Sequence, residues 1–322
     1  MPEFGIFTET FRPLTLEELV LPKRIKDIFE KGEELNQNYL FYSSAPGSGK
    51  TTLTRILSEK YDTLYLNISD ESGVDIIRTK IKNHCTNSSI LQGDYRQKVI
   101  ILDEVEGASD SFFNALRGVI EQFAEDVRFL ATTNHINKIP IPIQSRFFTV
   151  CFEADSDSEE KEILLGLIKR TAYIAKTVGI SFEDKNVLIN FVKLNYPDMR
   201  KIISKIQAFH DSGKTKLTEE DILKSTYMFT DLFTLCVSKP NPNKNYSEIV
   251  EAYKGKVDDV IYSLGTEFPK WLIENNHANS LELMDVVRIV NETSSQRKLV
   301  IDEVLNLIDC VFKLQMIFNK KG

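Results

Sequence analysis

Short, continuously apolar runs alternate with helix-period segments through the first half of the chain. NYLFYSS (38–44) reads as a strand, and a Gly-rich turn then leads into the helical pattern KTTLTRILSEKY. DTLYLNIS, QKVIILDE (97–104), VRFLATTN (127–134) and FFTVCF (147–152) read as further strands, with helical segments at 74–84 and 109–124 among them. Strands this apolar, alternating with helices, predict a parallel sheet covered on both faces. In such sheets ligands bind at the carboxyl ends of the strands.

The pattern changes at EADSDSEE (153–160), an acidic, turn-prone stretch. Beyond it the periodicity predicts helices at 159–178, 184–195, 198–210 and 218–226, with no convincing strand. SKPNPNKNYS (238–247) is a second punctuated stretch, followed by YSEIVEAY, VDDVIYSLGTEFPKWLIEN, SLELMDVVRIVNET and KLVIDEVLNLIDCVFKLQMIF, all helix-periodic. The last is apolar nearly all round, so it needs burial against other helices, in this chain or in other subunits. The expected division is an α/β core at 5–154, a small helical domain at 155–227 and an all-α domain at 228–322.

Charge narrows the partners. With 40 basic against 47 acidic side chains the net charge is -7, so nucleic-acid contact requires a local patch. MPEFGIFTETFRP has neither a basic segment nor an apolar one, and no run is long enough to span a bilayer. Cys85, Cys151, Cys236 and Cys310 form no C-x-x-C pair, and the four histidines are scattered. A reducing, cytoplasmic setting is expected, without a zinc site.

The strongest chemical signal is SAPGSGKT (44–51), a strand-to-helix turn that matches G-x-x-x-x-G-K-[ST] at all but its first position, where Ser44 stands. Gly47 and Gly49 let backbone N–H groups close around phosphates, and the helix that follows adds its dipole. Ala45, Pro46, Gly47, Ser48, Gly49, Lys50, Thr51 and Thr52 are the expected cradle, with Lys50 on the outer phosphates and Thr51 on magnesium. The other half is VIILDE: Asp103 is placed to hold magnesium and Glu104 to orient an attacking water. The fourth strand ends in Thr133-Asn134, where Asn134 reaches either the γ-phosphate or the water, or is simple turn chemistry.

IPIPIQSRFFTVCF (139–152) sets Arg146 before a buried strand, and a desolvated guanidinium calls for an anion. Arg146 lies at the amino end of its strand, whereas the phosphate loop, Asp103-Glu104 and Asn134 lie at carboxyl ends. Those edges are separated by roughly 15–20 Å. Two readings stand: an arginine finger supplied in trans to a neighbouring copy, or an arginine capping the strand edge.

FRPLTLEELVLP, APGSGKT, SDESGVDIIRTKIK, QKVIILDEVEG, NALRGVIEQF, ATTN, PIQSRF and YPDMRKIISKI occur here in the order seen in AAA+ sliding-clamp loaders. The set resembles replication factor C small subunits and, more closely, the large subunit of T-even-type phage clamp loaders. The resemblance covers about residues 8 to 210; the C-terminal part is similar only in size and helical character. Phe147 stands where cysteine commonly follows the arginine of the family's S-R-x motif. Without a C-x-x-C module the chain departs from the bacterial tau/gamma-type loader.

The resemblance implies a P-loop AAA+ core, a helical lid and a C-terminal collar. It also implies ATP and magnesium as ligands, and partners comprising further copies, a smaller non-ATPase subunit, a sliding clamp and primer-template DNA. If the chain is phage-encoded, the setting is the host cytoplasm. PDMRK puts Arg200 at the family's second sensor, bridging the γ-phosphate in cis, with Asp198 capping that helix. Its bland counterpart is one more charge among the six Lys/Arg of residues 193–216. Arg12 and Pro13 match the segment beside the adenine, or form an N-terminal turn.

For DNA, the resemblance points to Arg78 and Lys82 on the helix after the second strand, which otherwise read as a solvated face. For the clamp it points to the helix of GASDSFFNALRG. Phe112, Leu116, Val119 and Phe123 form a core stripe there; Phe113 at its edge either projects as an anchor or packs in the core, and Phe112, the second candidate, reads first as core. Arg117 either links DNA contact to the ATP site or is an exposed helix arginine. The expected function is the ATPase subunit of a clamp loader. The alternatives are another AAA+ replication ATPase such as a helicase loader, or an ATP-binding scaffold without turnover, which Glu104 and Arg146 argue against.

Overall fold

The computed structural model describes residues 5–29, 35–70, 73–86, 97–226, 229–296 and 302–319. The chain divides into two units, Met1–Leu217 and Thr218–Gly322. In the first, all five expected strands form: β1 (Tyr39–Tyr42), β2 (Asp62–Asn67), β3 (Lys98–Asp103), β4 (Val127–Thr133) and β5 (Phe148–Cys151). They make one parallel sheet in the order β2-β3-β4-β1-β5. α1 (Phe7–Thr10) precedes it, and around it lie α2 (Lys23–Phe29), α3 (Lys50–Ser58), α4 (Val74–Ile76), α5 (Lys82–Thr86), α6 (Asp110–Gln122) and α7 (Ile141–Gln144). α4 and α5 are ends of one helical stretch, joined by a π-helical turn at Ile77–Ile81.

Successive side chains of a strand point to opposite faces, and β3 shows why its run had to be apolar throughout. Val99 and Ile101 enter one core with Ile25, Phe41 and Leu53, while Ile100 and Leu102 enter the other with Ile81, Phe112 and Leu116. The sheet is therefore a rigid platform whose carboxyl edge carries the loops after β1, β3 and β4.

Three helices follow, each with a side-chain cap: α8 (Asp157–Thr177) on Ser156, α9 (Lys185–Asn195) on Asp184 and α10 (Met199–Asp211) on Asp198. One expectation is corrected here. β6 (Ser181–Phe182) and β7 (Lys216–Leu217) pair in parallel across the ends of these helices. Each is two residues long, too short to leave a period in the sequence. The N-terminal segment packs on the same helices. Phe7 N–H donates to Gln207 Oε1 at 3.0 Å, and its ring lies 5.3 Å from that of His210. A Cβ on Gly166 of α8 would come within 2.7 Å of Val20, so this glycine marks a close approach of helix and segment.

The second unit is helical: α11 (Glu219–Thr226), α12 (Thr230–Val237), α13 (Pro242–Tyr253), α14 (Val257–Thr266), α15 (Phe268–Glu274), α16 (Ser280–Gln296) and α17 (Glu303–Phe318). α17 is the segment that looked apolar all round, and α12, α13, α14 and α16 of the same unit pack against it. Its first expected residues, 298–301, lie outside the described residues. Its buried polar groups are paired: Asn306 Nδ2 donates to Thr293 O at 3.0 Å and Gln315 Nε2 to Leu235 O at 2.8 Å.

Candidate functional site

The loop between β1 and α3 turns twice through left-handed backbone, at Gly47 (φ 69°) and Gly49 (φ 96°), which glycine adopts without strain. Ser44, at the motif's first position, is not among the residues of positive φ, so no glycine is needed there. Its N–H donates to Glu153 Oε1 at 2.7 Å, and the hydrogen bonds from Ser44 hold the Glu153 carboxyl below the usual range. Lys50 Nζ donates to Ser43 Oγ at 2.7 Å and to Ala45 O and Ser48 Oγ, both at 3.2 Å. Burial pulls this ammonium down to about 8, against the opposing pull of Glu106 and Asp103; the Arg200 charge pushes in the same direction as burial.

β3 delivers Asp103 to the start of α3. Thr51 Oγ1 donates to Asp103 Oδ1 at 2.9 Å, Thr132 Oγ1 donates to the same oxygen, and Tyr65 Oη donates to Oδ2 at 2.7 Å. The next residue, Glu104, has φ 55° and ψ 50°. A non-glycine residue there costs about 1–3 kcal/mol and persists only where its surroundings dictate it, commonly at functional sites. Its N–H donates to Thr132 Oγ1 at 3.1 Å, so β4 helps to hold the turn. Asn134, just past β4, donates its N–H to Glu106 Oε1 at 2.9 Å. Asn134 Oδ1 and Glu106 Oε2 are buried and find no hydrogen-bond partner among the described residues. Such groups call for a ligand or water.

These elements surround a cavity of about 510 Å³. Ala45 to Thr52, Glu104 and Asn134 line one side; Arg12, Pro13 and Arg200 line others, with Leu19, Leu21, Ile163, Leu167 and Ile203 as apolar wall. Arg12 Nε lies 3.1 Å from Glu9 Oε2, and Arg200 is exposed on the first turn of α10. Asp198 caps that helix as expected, accepting from Lys201 N–H at 3.0 Å. Among the described residues no group of three or more His, Cys, Asp or Glu is arranged to hold a metal ion by itself. A divalent ion in this cavity would be held by Thr51, Asp103, phosphate oxygens and water, which suits magnesium. The glycine turns and the loop lysine fit the phosphates of a magnesium nucleotide, and the two unpartnered acceptor oxygens fit a water molecule.

Arg146 lies elsewhere. It sits between α7 and β5, at the amino edge of the sheet, where Asn38 Nδ2 donates to its carbonyl at 3.2 Å and Asn38 Oδ1 accepts from Phe129 N–H. Its guanidinium donates to Glu121 of α6 and to Pro142 O, and holds the Glu121 carboxyl below the usual range. It is not part of the cavity wall. Arg78 and Lys82 are exposed on the 74–86 stretch, away from the cavity lining, and Arg117 is exposed on α6.

Of the two readings for Phe113, the structure gives the buried one and contradicts the projecting anchor. Its side chain is only 5% exposed and Phe112 is fully buried, the two rings meeting edge to face at 6.1 Å. α6 lies against both the π-helical turn and α7, so its covered face is wider than the single stripe read from the sequence, and Phe113 falls inside it. Neither phenylalanine is available as an anchor. The sequence reading also missed Tyr65, Thr132, Glu106 and Glu153. Glu106 alone left a signal, as a third acidic residue in DEVE; Tyr65 and Thr132 reach the site from strands, and Glu153 from the segment after β5, far apart in the chain.

Among the described residues no helix is long and apolar enough to cross a membrane. Residues 39–153 match the family model for the ATPase family associated with various cellular activities, and residues 159–223 match that for the sliding-clamp-loader large subunit, AAA+ ATPase lid domain. The sliding-clamp-loader large subunit of Enterobacteria phage T4 is 31% identical over 214 residues, 65% of this chain and 66% of that protein. A replication factor C small subunit of Saccharolobus solfataricus is 33% identical over 65% of this chain and 63% of its own length. That of Sulfolobus acidocaldarius is 33% identical over 232 residues, 70% of this chain and 68% of the relative. In fold, the chain is similar to the Thermotoga maritima RuvB Holliday junction branch migration motor, with a TM-score of 0.50 at 20% identity over 83% of this chain and 92% of that one. By these matches the chain belongs to the AAA+ sliding-clamp-loader family.

Proposed function

We propose that this chain is an ATP-hydrolysing subunit of a sliding-clamp loader, active only in a ring with further copies and a smaller partner subunit. The observation that carries the reading is the separation of Arg146 from the cavity. The cavity gathers the loop, Glu104, Asn134 and Arg200, while Arg146 waits at the opposite sheet edge on an exposed carboxylate. Exposed ion pairs contribute little. The Arg146–Glu121 pair can therefore be exchanged for a phosphate on a neighbouring copy.

In this reading Lys50 and the loop N–H groups bind the phosphates, and Arg200 adds a second charge in cis. Arg12 and Pro13 lie by the base. Thr51 and Asp103 hold magnesium, which neutralises phosphate charge. Glu104 orients the attacking water from its left-handed turn, and Asn134 holds it or the γ-phosphate through its side-chain amide. ATP binding draws neighbouring copies together through Arg146, opening the clamp and gripping primer-template DNA along Arg78 and Lys82; hydrolysis releases both. The core, lid and collar correspond to 5–154, 155–227 and 228–322, the collar holding the ring.

The test is ATP turnover by the assembled complex, with and without clamp and primed DNA. Stimulation by both together supports the reading. Turnover that neither changes, or none at all with every subunit present, contradicts it.

A further inference from the structure

Tyr65 touches the site yet belongs to none of the phosphate-binding motifs. It lies on β2, the edge strand beside β3, opposite Ile101, while Asp103 is paired with Asn67. The ring therefore reaches forward along the strand direction to place Oη 2.7 Å from Asp103 Oδ2. The other oxygen, Oδ1, is taken by Thr51 and Thr132. Donors from three separate elements thus fix the plane of one carboxylate. Tyr65 is held in turn: the Arg55 guanidinium of α3 lies 5.2 Å from its ring centroid. The residue is 40% exposed, more than a role in the core requires.

We propose that Tyr65 is a positioning residue for the magnesium ion, holding Asp103 through Oδ2 so that the carboxylate faces the ion and Thr51 in one orientation. This rests on the nucleotide reading above. It differs from a packing role in depending on one hydroxyl.

Tyr65→Phe keeps the ring beneath Arg55 and removes the hydroxyl, with its hydrogen bonds to Asp103 and Arg55. Mn²⁺ binding is titrated by the loss of the free-ion EPR signal, with a non-hydrolysable ATP analogue on wild type and variant, and metal-free affinity is measured with a fluorescent ATP analogue. The expected result is Mn²⁺ binding weakened about 10-fold, as for other outer partners of metal ligands, with metal-free nucleotide affinity unchanged. Coincident Mn²⁺ curves overturn the role of Tyr65 alone, as does a parallel loss of metal-free affinity. A wild type that binds no nucleotide or no metal overturns the nucleotide reading and this inference together.

Discussion

One oxygen of Asp198 links the lid to the phosphate loop. Asp198 Oδ1 accepts from Lys201 N–H at 3.0 Å, capping the helix that carries Arg200, and a Cβ on Gly47 would lie 1.8 Å from the same atom. Gly47 is therefore constrained twice, by its φ of 69° and by this contact. Gly47→Ala is expected to weaken nucleotide binding by at least about 10-fold, from left-handed strain alone. Adding Asp198→Ala should return part of the loss while giving up the cap, about 1 kcal/mol of stability. Fluorescent-nucleotide titration and thermal melts of the two variants read both effects.

Lys50 should make nucleotide binding proton-linked. Burial holds its free-state value at about 8, below the usual lysine value, and phosphates must raise it. Binding at about pH 9 then takes up a proton, while at about pH 6.5 the group is already charged and uptake vanishes. Calorimetry in buffers of different ionisation enthalpy measures this, and Lys50→Arg should abolish it. For folding the sign is also fixed. The depressed value penalises the folded state below about pH 8, and that penalty is relieved as pH rises from there toward the unfolded value.

Phe113→Ala is expected to destabilise the first unit by about 3–5 kcal/mol, the cost of emptying a buried phenylalanine site. Urea unfolding checks it. A projecting clamp anchor would instead leave stability almost unchanged.

Much of the fold was legible because burial on both faces leaves an unbroken apolar run, as in VIIL of β3, and because Gly47, Gly49 and Lys50 follow a strand directly. β6 and β7 were not, since two-residue strands carry no period. Phe113 stayed open between core and anchor because a helix covered from two sides hides more than one row. Within the site, the residues of the phosphate loop and of the DE and TN strand ends were found, because each belongs to a short contiguous motif. Tyr65, Thr132 and Glu153 were missed because their roles arise from strand order, β2-β3-β4-β1-β5, which brings together segments distant in the chain.

Arg78 and Lys82 are exposed on a stretch with a π-helical turn, a feature common at functional positions. Replacing both by alanine should weaken binding of primed DNA equally for all sequences. The slope of log affinity against log salt should become shallower by roughly two, one for each lost phosphate contact. Filter binding over a salt series measures the slope.

The central claim is that each site is completed by a neighbour's Arg146. Its most direct test is ATP turnover of the assembled complex, in the presence of clamp and primer-template DNA, made with Arg146→Ala, with Lys50→Ala, or with an equal mixture. Each variant alone should be inactive. In the mixture, sites that pair an intact Lys50 with a neighbour's intact Arg146 should restore a fraction of wild-type turnover. Wild-type turnover by Arg146→Ala, or a mixture as inactive as its parts, would contradict the account and leave Arg146 as a charge that pairs with Glu121 at the sheet edge.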